Sequence, residues 1–414
     1  MRGLSNLRVI EISVGGAVPW LCKHLSWHGA EIVRIEMRAH PDAIRTYIPP
    51  SRPDQGPQPN LSPWHPEWHS GKSHVGIDLE APRGQDLLAR LVSVSDALLT
   101  NLGASACARL GLSYDKLRAL NPSIIFLQNT AFGVNGPYTS YKAWGLQTEA
   151  VAGLSYATRH GDETPILMPY VLPDWMASLY GLVALTGALR ERNRTGRGQF
   201  IDLSMLELTV ASMGGLVLQS AALGGEPQRW GNQSPVAAPH NCYPCKGDDR
   251  WCVITVETEQ QWVACAGAMG RPQLAEDRRF STLEARLSHR QELDELIAQW
   301  TRQRDGHEVM RTMHQAGVPA GVVQDVEGLL KDEHLRRRGF FVHYDHLFKG
   351  PVLGGSLAIR MCPPDGQALR AGNAVGEDNE PILKGLLGLA ASEYQALDEQ
   401  EVISQDRSPK PTPA

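Results

Sequence analysis

The chain has 414 residues, 42% hydrophobic and 21% charged, with a net charge of −5 and a pI near 6.3. That length predicts two domains of an ordinary soluble globular protein, and the mildly acidic balance gives no reason to expect nucleic acid or an anionic membrane as partner. No apolar leader follows Met1, and the longest apolar run, Met176 to Leu189, is too short to span a bilayer, so no membrane partner and a cytoplasmic location are expected.

Arg8 to Ile12 predicts a strand, Ser13 to Val18 a loop, and Pro19 the first position of a helix that Gly29 stops. Ile32 to Ile35 is a second strand, closed by Glu36. This is a Rossmann-like start, yet Gly15-Gly16 is not the GxGxxG of a nicotinamide dinucleotide site. A loop leading into a helix still offers backbone N–H groups to a phosphate or carboxylate. Residues 39 to 68 are so rich in proline that an extended excursion is expected, a lid or a dimer arm. Val75 to Leu79 follows as a strand. Pro82 to Val94 is an amphipathic helix, with Leu87, Leu88, Leu91 and Val92 on one side. Ala97 to Thr100 is a strand, Ser113 caps a helix ending at Leu120, and Ile124 to Leu127 is again strand.

An apolar helix opens near Asp174; Phe200 to Leu203 is then strand and Met205 to Leu218 a single helix. Beyond Gly224 the text becomes polar, with a strand at Cys252 to Val256, a helix opening at Gln260 and a helical stretch from Thr282 to Arg302. The expected organisation is a large Rossmann-like α/β domain with a mostly parallel sheet over 1–224 and a smaller α+β domain over 225–330. A return segment over 331–403 completes the large domain, and a disordered tail spans 404–414. The seven cysteines are scattered, which fits a reduced compartment. Cys242 and Cys245 have metal-ligand spacing but no matching second pair, so they are read as a strand-edge coincidence and no metal is expected.

Asp174 is a lone carboxylate in the proline-flanked stretch from Met168 to Trp175, at the mouth of the apolar helix. Two readings are open. It caps the helix, as Asp often does, or it is held partly out of water for chemistry, between Tyr170 and Trp175.

Several pieces in order resemble the class III coenzyme A transferases, the family of formyl-CoA:oxalate and carnitine CoA-transferases (CaiB/BaiF type). They are Leu4 to Ile12 with His28 to Glu36, Lys72 before Ile77-Asp78-Leu79, Asn101 to Gly111, Leu120 to Pro122, Phe132-Gly133 and Gly136 to Tyr138. Thr195 to Gln199, Gly317 to Gly321 and Glu333 to Phe341 continue the match, which runs from about residue 4 to 360.

The resemblance implies a CoA-transferase that uses acyl-CoA and a free carboxylic acid as substrates and binds no permanent cofactor. Asp174 falls on the family's catalytic aspartate, which decides between the two readings. Arg109 falls on a phosphate-binding arginine, Lys142 and Trp144 in a CoA-contacting segment, and Arg38 on a second phosphate-binding arginine, shifted by about one place. Ile77 to Glu80 and Asn101 to Gly103 fall on loops bordering the nucleotide. The Val14 to Ala17 loop, with Gly16 and Ala17, is expected to supply oxyanion-stabilising N–H groups. An interlocked homodimer is implied, or a hetero-oligomer with a paralogous subunit, with the alternative that this chain is the non-catalytic CoA-binding subunit supporting an active paralogue. The chain departs from the family at Gly16, where a glutamine is usual, and at Trp144-Gly145, where an aromatic precedes an acid. The racemase branch needs a His-Asp pair near Trp144 to Ala150, and no histidine stands there.

Overall fold

The structure is a computed structural model that describes residues 3–46, 62, 64–158, 164–168, 170–226, 229–346, 350–356, 358–359 and 370–406. Much of the proline-rich stretch, Pro169, Cys362 and the tail beyond 406 lie outside those residues. Where the stretch is described it is not simply extended, because short helices occupy Ala43–Thr46 and His65–Trp68.

Six strands form one sheet: β1 (Arg8–Ile12), β2 (Glu31–Glu36), β3 (Ser73–Gly76), β4 (Ala97–Thr100), β5 (Ile125–Thr130) and β6 (Phe200–Ser204). Their order is β3-β2-β1-β4-β5-β6 and every neighbouring pair is parallel. Alternation along the strands sends successive side chains to opposite faces. Ile10, Val33, Leu98 and Phe126 enter one core with Leu88 and Leu91 of the helix Pro82–Ser93. Val9, Ile32, Leu99 and Leu127 enter the other, with Leu21 and Leu25 of the helix Ala17–Trp27 and Leu185 of the helix Leu172–Thr195. Each such side chain, fully buried, stabilises the fold by about 1.5–3 kcal/mol, and burial on both faces is why these strands read as near-continuous apolar runs. The first core also takes Leu383, Leu397 and Ile403, so the end of the chain packs on strands formed at its start.

Contacts divide the chain into two compact units. One gathers the chain through Leu154, Leu167 to Leu218, and from Arg337 onward; the other gathers Ser155 to Ile166 and Gln219 to Arg336. The second unit has a three-stranded antiparallel sheet of β7 (His240–Pro244), β8 (Trp251–Thr255) and β9 (Ala320–Val323) over its own core, which includes Trp262, Phe280 and Leu293.

Several expected boundaries move. The first helix opens at Ala17, and Pro19 sits in its first turn, where a missing N–H breaks no helical bond. The third strand ends at Gly76, and Ile77 instead bridges Ile403. The expected helix from Met205 becomes two, Met205–Ser212 and Gly214–Leu223, bent by 68° where Gly214-Gly215 weaken the helical backbone. The stretch from Thr282 likewise splits at His289 into Leu283–Ser288 and Arg290–Thr301. Among the described residues no single helix is long and apolar enough to cross a membrane.

Candidate active site

In an open parallel sheet, the loops after two adjacent strands diverge where the strand order reverses, leaving a crevice at the carboxyl ends. Here the reversal lies between β1 and β4. A cavity of about 320 Å³ opens there, lined by Val14 to Ala17, Asn101 to Gly103 and the end of β5 at Asn129 and Thr130. Lys142, Trp144 and Asp174 complete its wall.

The two glycines of the β1 loop have different reasons. Gly15 has φ +70°, a left-handed conformation that side chains strain to adopt. Gly16 has an ordinary φ, but a Cβ there would stand 2.9 Å from Asp174 Oδ1. Gly145 presses from the other side, where a Cβ would overlap Asp174 Oδ2. The two departures from the family pattern are therefore complementary: both vacate space that the Asp174 carboxylate fills.

Asp174 is not the helix cap. It is the third residue of Leu172–Thr195, whose N-cap is Val171 at φ 44° and ψ 56°. Left-handed backbone is strained for a β-branched residue, and such strain collects at functional sites. The Asp174 side chain reaches the start of the first helix, where the Ala17 N–H donates to Oδ1 at 3.2 Å. Oδ2 is sealed from water and, among the described residues, has no hydrogen-bond partner. Burial pushes the carboxyl up from 3.8 to about 6, against the opposing pull of the Ala17 N–H. The backbone of Gly145 lies against Oδ2, and that of Gly16 against Oδ1. Contrary to expectation the flanking aromatics do not, since Tyr170 is exposed and Trp175 meets Trp68 edge to face.

Gly16, Ala17, Asn101, Gly103, Lys142 and Trp144 thus share one cavity with Asp174. Arg38, Ile77, Glu80 and Arg109 stand apart from its lining. Arg109 Nε donates to Glu80 Oε1 at 2.8 Å, Arg38 Nη2 donates to Gln405 O at 2.7 Å, and the Ile77 side chain is in the core. The expected oxyanion donors are mostly engaged. Val14 N–H donates to Asn101, Gly15 N–H to Asp42 and Ala17 N–H to Asp174, which leaves Gly16 N–H as the remaining donor of the loop among the described residues.

Sequence reasoning missed what lies behind this loop. Glu11, Arg34, Glu36, Asp42, Arg45, His69, Lys72 and His74 form a charged cluster that is almost wholly buried. Arg34 pairs with Glu11 and Asp42, each at 2.5 Å, Lys72 with Glu11 at 2.8 Å and Arg45 with Glu36 at 2.7 Å. Burial pushes the Glu11 carboxyl up, but Lys72 and Arg34 more than offset it. Removing one partner of such a pair typically costs about 3–5 kcal/mol. The signal in the sequence was charge inside otherwise apolar strand segments at Glu11, Arg34 and Glu36; Asp42, Arg45, His69 and Lys72 lie outside the strands. Glu36, His65 and His74 approach metal-ligand spacing, but Arg45 and Arg34 already neutralise Glu36 and would repel a cation.

A larger cavity of about 780 Å³ in the second unit offers less chemistry. Its Asp294 is taken by Tyr243 Oη and Asn241, and its Arg290 by Gln233 and Ser234. Cys242 lies beside it, with its thiol pushed up by burial.

Comparison with known proteins identifies the family. The family model described as CoA-transferase family III matches residues 4–379. The chain is 31% identical over 402 residues to a succinyl-CoA–D-citramalate CoA-transferase of Chloroflexus aurantiacus, covering 97% of this chain and 98% of that one. It is 30% identical to a succinyl-CoA–L-malate CoA-transferase alpha subunit of the same species, covering 97% and 92%. It is 26% identical to a formyl-CoA:oxalate CoA-transferase of Streptomyces coelicolor, covering 97% and 99%. Among solved structures, a CaiB/BaiF family protein from Brucella suis superposes with a TM-score of 0.81 at 26% identity, covering 93% of this chain and 99% of that one. A family match over nearly the whole chain, on a sheet that opens a carboxylate-bearing cavity at its reversal point, makes this protein a member of CoA-transferase family III, an enzyme that takes CoA thioesters as substrates.

Proposed function

We infer that Asp174 is the nucleophile of a CoA transfer between carboxylic acids. The observation that carries this reading is a desolvated carboxylate in the cavity wall, held by one backbone N–H and otherwise unpartnered among the described residues. A carboxylate freed of water and fixed in place is a better nucleophile, and placement alone can be worth about 7–11 kcal/mol. The carboxylate attacks the thioester carbonyl, and the C–S bond breaks to give an aspartyl anhydride and CoA thiolate. The thiolate then attacks the aspartyl carbonyl, releasing the donor acid and leaving an aspartyl-CoA thioester. The acceptor carboxylate reverses both steps. Gly16 N–H is the loop donor left to meet the developing oxyanion, while Lys142 and Arg109 serve the CoA phosphates. Because Oδ2 is sealed, water is kept from the intermediates.

The names of the relatives make succinyl-CoA the first donor to try, with short dicarboxylic acids, hydroxylated or not, as acceptors. Racemisation is disfavoured, because no histidine is among the described residues lining the cavity. Leu179, Tyr180 and Val183 are exposed on the helix Leu172–Thr195, as are Leu216 to Leu218, and this supports burial of those faces in an interlocked homodimer. The test is incubation with succinyl-CoA and a panel of acids, followed by mass spectrometry for new thioesters and for CoA carried on the Asp174 peptide. Transfer that survives in Asp174→Ala ends the proposal.

A further inference from the structure

Asp42 lies behind the β1 loop, outside the cavity lining, and is 2% exposed. Its Oδ1 accepts from the N–H groups of Gly15 and Ile44, each at 2.9 Å. Its Oδ2 takes Arg34 Nη2 at 2.5 Å, with His69 Nε2 at 3.4 Å. Arg34 is itself anchored to the end of β1 and the residue beyond it, through Glu11 at 2.5 Å and Ser13 Oγ at 3.1 Å. From β4's end, Asn101 grips the neighbouring residue twice, accepting from Val14 N–H at 2.9 Å and donating to Val14 O at 2.5 Å. Lys72 donates to Pro19 O at 2.8 Å on the far side. The loop is held at Val14, Gly15 and Pro19, and the two residues that touch Asp174, Gly16 and Ala17, hang between those points. Glycines have no side chains with which to fix themselves, so the aim of the Ala17 N–H is set from outside the loop.

We propose that Asp42, oriented by Arg34, is a positioning residue for the transfer reaction: it holds Gly15 so that the next two residues present their backbone correctly to Asp174. Hydrogen bonds weaken steeply with angle, and a displacement of about 1 Å at a reacting group can lower a rate about 100-fold. The inference rests on Asp174 being the nucleophile. Around Asp42 the other charged or titratable groups are Glu11, Arg34, Glu36, Arg45, His65, His69, Lys72 and His74, and along the cavity wall, among the described residues, those besides Asp174 are Lys142 and Tyr141.

The experiment is single-turnover labelling of the full chain with succinyl-CoA alone, quenched with hydroxylamine and read at the Asp174 peptide, from about pH 5 to 8. Asp42→Ala should slow labelling about 10- to 100-fold, with half-saturation in succinyl-CoA changed less than about threefold. The acidic limb of the pH profile should move upward, because a loosened Ala17 N–H no longer favours the ionised Asp174. Asp42→Asn keeps the volume but must lose either Gly15 or Arg34, since only one of its two terminal atoms, the oxygen, can accept and the nitrogen can only donate; about a tenfold slowing and the same direction of limb shift are expected. If Asp42→Ala does not fold, Asp42→Asn decides. Wild-type rates and an unmoved limb in the variants overturn the inference, as does a loss matched by an equal rise in half-saturation. Should the wild-type protein never label at Asp174, the nucleophile reading itself falls, and the inference with it.

Discussion

Replacing Asp174 by Asn should change how stability depends on pH, in a direction set by burial. The Asp174 carboxyl is pushed from 3.8 to about 6 in the folded protein. A folded state that holds its proton more readily than the unfolded chain loses stability as pH rises from the unfolded value to the folded one, and the loss is complete above it. At about 1.4 kcal/mol per pH unit the full penalty above pH 6 is about 3 kcal/mol, of which about 2.4 kcal/mol develops between pH 4 and pH 8, because at pH 4 the unfolded carboxyl is already more than half ionised. The amide introduced by Asp174→Asn has no such titration. Its oxygen can still accept from Ala17 N–H, and its Nδ2, facing Gly145 without an acceptor, adds a cost of about 1–3 kcal/mol that does not vary with pH. Variant stability minus wild-type stability should therefore rise by about 2.4 kcal/mol between pH 4 and pH 8, whatever the constant offset. Urea melts of both proteins across that range measure it. A flat difference refutes the claim that Asp174 is ionised against its surroundings.

Gly145→Ala should lower kcat about 100-fold with little change in melting temperature, because a methyl there displaces the Asp174 carboxylate; unchanged kcat in steady-state assays rejects that geometry. Lys142→Ala and Arg109→Ala should each raise KM for the CoA ester about fivefold or more and leave kcat near wild type. A variant with unchanged KM removes that residue from the phosphate contacts. Leu98→Ala, at a fully buried position of β4 in the first core, should cost about 2–5 kcal/mol in denaturant melts without altering KM of the folded fraction.

The central strands were legible because β1, β2, β4 and β5 are buried on both faces, so their apolar runs stand out against glycine- and proline-marked turns. Arg8 to Ile12 and Ala97 to Thr100 fall where their residues predict. Boundaries failed where a distant partner decides them. β3 stops at Gly76 because Ile77 turns to bridge Ile403, hundreds of positions away in the chain.

Asp174 could be singled out from its neighbours and from the order of motifs around it. What holds it could not. Ala17, Gly16 and Gly145 meet its carboxylate from separate stretches of backbone, and Asp42 acts on it only through a loop that Arg34 and Asn101 also brace. Local sequence determines which segments become strand or helix, through side-chain periodicity and turn chemistry. The closing of a carboxylate between two bare backbones, and the burial of the charges behind it, depend on distances across the sheet, which only the tertiary structure decides.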